Sequence, residues 1–156
     1  TGAAVDVSNH YVLLVNDGGS VYGSVQLTGT IASGGYLVVA PTASDVPADV
    51  AFPSGVSGIQ NGGNDAAALV DGDPTMPTTL VDFLVYEGDF TPTDVSNGGT
   101  VIFSVPAAWA MSIGTDSAGT EPDLSSLGRV SDACDRMTPG VDWSVQVATP
   151  GAANGI

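Results

Sequence analysis

Apolar residues in this chain recur at every second position in short runs, and each run is soon cut off by Gly, Asn, Asp, Pro or Ser. Successive side chains of a strand point to opposite faces, so such a run defines one face to bury and one to expose. Val81, Phe83 and Val85 are expected to face one way, as are Val101, Phe103 and Val105, and Trp143, Val145 and Val147. The strand-like runs are Tyr11 to Val15, Val21 to Leu27, Gly35 to Ala40, Ala66 to Val70, Leu80 to Tyr86, Thr100 to Val105 and Trp143 to Val147. Between them, Asn16-Asp17-Gly18-Gly19, Asn61-Gly62-Gly63-Asn64 and Asn97-Gly98-Gly99 supply the positive-φ positions that tight connections need. With 21 Gly and 10 Pro scattered through the sequence, no window carries a helical period, and only Pro106 to Met111 reads as a single helical turn. Thr42 to Gly58 and Thr115 to Ser126 read as long surface loops. The expectation is one all-β domain over residues 1–156, a sandwich or barrel.

Charge narrows the partners. Seventeen acidic residues stand against 2 basic ones, giving a net charge of -15 with no Lys anywhere. Phosphate backbones and anionic membrane surfaces are repelled by such a chain, so nucleic acid is excluded as a partner. No apolar run approaches the ~20 residues of a spanning helix, so membrane insertion is not expected. Only 12% of residues are charged, which leaves a surface of Thr, Ser, Gly and Asn with a carboxylate excess, unlike a disordered acidic tail. That composition, and an opening at Thr1 without Met or leader, fits a secreted chain in the extracellular space or on a cell surface. The single Cys134 has no internal disulfide partner and reads as a small buried apolar side chain.

Several catalytic templates fail on residue supply alone. A phosphate-binding loop of the Walker type needs Lys, a zinc site wants several His or Cys where only His10 and Cys134 exist, and no Gly-x-Ser-x-Gly elbow is present. Paired carboxylates for glycoside cleavage are available, but abundance does not place two of them across a cleft. The chain is therefore read as not an enzyme. Calcium takes the oxygen ligands that this sequence has in excess, with Asp71 and Asp73 as the best local pair and Asp132 and Asp135 as the second. Met76 and Pro74 spoil an EF-hand register there, so solvated turn aspartates are the favoured reading, and no other cofactor is expected.

Order along the chain supplies a further expectation. Gly35-Tyr36-Leu37-Val38-Val39, then Val81-Asp82-Phe83-Leu84-Val85-Tyr86, then Ser126-Leu127-Gly128-Arg129, Asp142-Trp143 and the closing Thr149-Pro150-Gly151-Ala152-Ala153-Asn154 resemble the lamin tail domain family, particularly its bacterial secreted members. The resemblance implies an immunoglobulin-like β-sandwich that serves as an interaction or scaffold module. It marks Arg129, Trp143, Pro150, Gly151 and Asn154 as structural positions. Arg129 is expected to tie loops together through its guanidinium fork, Trp143 to form a core plate, and Pro150-Gly151 to end the last strand. Trp109, in a Pro-Ala-Ala context without alternation, is expected to be the exposed aromatic.

The functional expectation is a non-catalytic structural or protein-interaction module whose partners include other copies of itself. The alternative is a module binding glycans or another surface ligand, with calcium assisting. The first strand of the family is short or absent in Thr1 to Ser8. An open edge there would invite a strand from a neighbouring copy and propagate a filament, whereas internal pairing of residues 1 to 7 would close it.

Overall fold

The run around Leu13 and Leu14 takes the centre of the main sheet. The computed structural model describes residues 2–42, 47–56, 59–60, 64–112, 125–129, 143–147 and 152, without the side chains of 125–129 and 145–147. The first three strands are β1 (Val5–Asp6), β2 (His10–Val15) and β3 (Val21–Gln26). Then follow β4 (Thr30–Ile31), β5 (Val39–Pro41), β6 (Val50–Phe52), β7 (Asp65–Asp71) and β8 (Thr79–Tyr86). Among the described residues the last four are β9 (Asp94–Asn97), β10 (Thr100–Ser104), β11 (Ser125–Arg129) and β12 (Trp143–Val147), with one 3-10 turn at Ala107–Trp109 after β10. The fold is all-β. A four-stranded antiparallel sheet of order β3-β2-β7-β8 is its frame.

Both faces of that sheet are covered, which is why β2 is apolar on both. On one face Leu13 and Val15, with Ala68, Val70, Phe83 and Val85, pack against Phe90, Val95, Ile102 and Phe103 from the β9–β10 hairpin and its approach. Phe83 sits at the centre of this core, edge-to-face with Phe90 at 5.1 Å and with Phe103 at 6.1 Å between centroids. Such pairs add about 0.5–1.5 kcal/mol each beyond the area they bury. On the other face Leu14 and Val25 meet Phe52, flanked by Val39, Val50 and Val56 of the β5–β6 layer.

The main core is closed at its sides by main-chain bonds. The Ser96 N–H donates to Gly19 O at 2.8 Å beside β3, and the Thr78 N–H donates to Ile102 O at 2.8 Å beside β8. At the far end of β8, Phe90 N–H reaches Ala110 O at 2.8 Å, and Ser112 pairs in parallel with Val85. The β9–β10 hairpin is thereby stitched to both outer strands of the sheet, giving a closed sandwich. Its turn is Asn97-Gly98-Gly99-Thr100, with φ of +57° and +85° at the two glycines, values that side chains resist.

Five expectations about faces and ends are corrected. Val81 is 41% exposed, not in the core, because the register slips between Leu69 and Val70 and makes it the extra residue of a β-bulge. Val101 pairs with Ser96 and is 51% exposed, and the slip between Val101 and Phe103 makes Ile102 the extra residue there, buried beside Phe103. The run from Gly35 to Ala40 is extended only at its end, and β6 lies within the segment expected to be a loop from Thr42 to Gly58. There Val50 and Phe52 pair in parallel with β5, and the Asp49 carboxylate accepts the Val38 N–H at 2.8 Å. The second expected loop ends earlier than Ser126, since Ser125 and Ser126 open β11.

The N-terminal segment pairs internally. β1 lies antiparallel to β4, Val7 N–H donates to Gly29 O at 3.0 Å, and the Val7 side chain is buried. Trp109 is half-buried and packs on the main core, so it is not the exposed aromatic that its sequence context led one to expect. Its 3-10 turn has no side-chain cap and is held by packing.

Candidate functional site

Asp71 and Asp73 flank Gly72 at the end of β7, where the chain turns toward β8. The Asp71 carboxylate accepts a hydrogen bond from Asn9 Nδ2, and the Gly72 N–H donates to Asn9 O at 2.9 Å. Asp73 Oδ1 accepts the Thr75 N–H at 2.9 Å, and this bond, with that of the Thr75 hydroxyl, holds the Asp73 carboxyl below its ordinary value. Asn97 Nδ2 then donates to Pro74 O at 3.1 Å, fastening the turn to the β9–β10 hairpin. Among the described residues no three His, Cys, Asp or Glu side chains gather as a metal-binding group.

The other sequence-derived positions are reached only in part. β11 and β12 form an antiparallel pair whose register sets Arg129 opposite Trp143. Trp143 is half-buried and engaged in an interaction of its own. Pro150, Gly151 and Asn154 lie outside the described residues, as do Asp132, Cys134 and Asp135.

Elsewhere the acidic side chains follow one pattern. Asp6 Oδ1 accepts the Ser8 N–H at 2.9 Å, Asp82 Oδ1 the Phe83 N–H at 2.9 Å, and Asp89 Oδ1 the Ser112 N–H at 3.0 Å. Asp94 Oδ1 accepts the Ser104 hydroxyl at 2.6 Å across the hairpin. Short side chains whose oxygen reaches a nearby amide are suited to such turns. At Phe83 the device also occupies a main-chain donor on an outer strand of the sheet, the task that Lys or a bulge performs at other edges.

One acid breaks the pattern, and the sequence reading passed over it. Asp65, the first residue of β7, is buried at 2% exposure, and its Oδ2 has no hydrogen-bond partner. Burial first, then the charges of Glu87 and Asp17, push its carboxyl above the ordinary value. Across the strand pair Tyr86 is also buried, and its phenol lies far above the usual range through burial and the neighbouring Tyr22 hydroxyl. The Tyr22 hydroxyl itself accepts the Gln60 N–H at 2.9 Å. An acid directly ahead of an apolar run was the available signal, but the same pattern serves at exposed turns throughout this chain.

No family model, curated protein or solved structure matches this chain.

Proposed function

We propose that this chain is a non-catalytic structural and protein-interaction module, an immunoglobulin-like sandwich of the lamin-tail kind, working outside the cell or on its surface with further copies of itself as partners. The observation that carries this reading is the use made of its carboxylates. Asp6, Asp49, Asp71, Asp73, Asp82, Asp89 and Asp94 each accept a hydrogen bond from the chain's own amides or side chains. The acids so engaged fix turns and strand ends. A scaffold has that requirement, whereas acid–base chemistry needs carboxyls aimed at a substrate.

The contact surface is supported by the exposed apolar side chains around the Thr78–Ile102 bond. Met76 is 57% exposed, two residues before Thr78; Val81, the bulge residue of β8, and Val101, the neighbour of Ile102, are exposed as well. Apolar groups gathered where two sheets join suit burial against another protein. The charge of each copy opposes that contact, so association is expected to strengthen as salt screens it.

Sedimentation velocity over two decades of concentration, at low and high sodium chloride, tests the reading. Association that grows with concentration and salt, and that Val101→Asp abolishes, is the expected result. A monomer under every condition sinks self-assembly. A glycan array read with and without chelator tests the rival class, and calcium-dependent glycan binding by the monomer would replace the interaction module with a ligand-binding one.

A further inference from the structure

Asp65 stands where three chain segments meet. It pairs with Tyr86 at the end of β8, and its neighbour Ala66 pairs with Val15 at the end of β2. The turn after β2 contributes Asp17, whose main-chain N–H faces the Asp65 carboxyl. Beyond β8 the chain continues through Glu87, which holds a positive φ of 64°, to Gly88, which lies against the side chain of Asn64. The junction is thus built from the turn after β2, the start of β7 and the exit of β8.

Its chemistry is discordant for an ionised acid. A buried carboxylate is stable when both oxygens are hydrogen-bonded or a cation is near. Here Oδ2 is buried without a partner, while Asp17 and Glu87 bring charge of the same sign from the two adjoining segments. Tyr86, which pairs with Asp65 across the strands, is a phenol held far above its usual range by burial and stays neutral through the working pH range. A neutral carboxyl relieves the conflict of charge, and it costs far less to bury than a carboxylate.

We propose that Asp65 is a proton-operated clasp, in which its neutral carboxyl holds the turn after β2, the start of β7 and the exit of β8 together, and loss of the proton to solvent loosens them. The clasp closes in acid. Because the folded state holds this proton more tightly than the unfolded chain, its contribution is full below the ordinary carboxylate value. It is lost as pH rises through the raised value of the folded state. Asp6 and Asp73 act in the opposite sense, so the clasp is read as a difference between two proteins and not from one pH profile.

Urea unfolding of the wild type and of Asp65→Asn, from about pH 4 to about pH 8, makes that comparison. Asparagine keeps the shape and cannot ionise. The expected result is that the two midpoints lie close together in acid and separate with rising pH, the variant becoming the more resistant. A constant offset, or a variant that loses ground as pH rises, overturns the proposal and makes Asp65 an ordinary charged anchor. Should the variant not fold, the carbon-13 shift of the Asp65 carboxyl in the wild type gives a direct reading. Titration above the chain's exposed aspartates supports the clasp, and titration with or below them refutes it. Added calcium gives the third arm: a rise in the wild-type midpoint at neutral pH that Asp65→Asn lacks would assign the position to a cation instead.

Discussion

Phe83 and Val81 stand two positions apart on β8, yet removing their side chains should have very different consequences. Phe83 is 2% exposed and meets two other aromatic rings, so Phe83→Ala is expected to cost about 3–5 kcal/mol through lost transfer energy and the cavity left behind. Val81→Ala removes a side chain displaced outward by the bulge and should cost less than about 0.5 kcal/mol. Urea unfolding of the two variants checks the pair, and equal losses would mean that the bulge is not present in solution. Gly19 is a second position governed by backbone. It has a φ of +73°, and a Cβ there would lie 2.6 Å from Asp94 O beside the bond that closes the sandwich. Gly19→Ala should therefore cost more than about 1 kcal/mol, where the same change at an exposed, negative-φ glycine is neutral or stabilising. Titration at the residue scale has a sign of its own. Asp6 and Asp73 are held below their ordinary values by bonds from Ser8 and Thr75, so their contributions are present above the unfolded value and lost as pH falls through the folded one.

At the scale of elements, the strands that read most clearly in the sequence are those with partners on both sides. β2 and β7 lie inside the sheet, and their apolar runs match the observed strands to within a residue. The hairpin turn at Gly98-Gly99 was equally legible, because the glycines declare the backbone they need. What the alternation concealed were the bulges. A slip of one position leaves the sequence of β8 and β10 unchanged while reversing which side chains face inward, and nothing in the letters marks where the slip falls. β6 was missed for another reason: three residues, Val50–Phe52, are too few to show a period, and they are strand only because β5 and the core beneath Phe52 are beside them. The candidate site divides the same way. Turn aspartates could be recognised from Gly and Pro around them, but the burial of Asp65 depends on two other strand ends that only the fold brings near. Amide exchange should rank the elements accordingly. Amides in the middle of β2 and β7 are expected to open only with global unfolding, while β1 and β4, two residues each and largely exposed, exchange by local fraying. Protection in Val5 and Asp6 equal to that in Leu13 would show that the N-terminal pair is covered by something more than β4.

At the scale of the whole molecule, the composition sets a condition that no single contact reveals. Seventeen carboxylates and two cations leave a net charge of -15 on 156 residues, so the folded state concentrates like charge that the unfolded chain spreads out. Pairing with lysine is closed to this chain, and the hydrogen bonds that its aspartates accept orient the charges without cancelling them. The remaining relief is screening by salt. The distance over which charges act falls from about 10 Å at 0.1 M to about 3 Å at 1 M, which removes repulsion between turns while leaving pairs in contact largely untouched. The melting temperature is therefore expected to climb by several degrees as sodium chloride is raised over that range, roughly what a gain of 1 kcal/mol gives a domain of this size. Sodium chloride is the proper probe, because sulfate strengthens apolar burial in any protein and would raise the melting point of a neutral one as well. Replacing Asp17 by Asn should shrink the salt response if repulsion is concentrated at the Asp65 junction and leave it nearly unchanged if it is spread over the surface. A melting temperature that is flat or falling with sodium chloride would show that the acidic excess is no burden to the fold and that the carboxylates are already compensated by contacts within it.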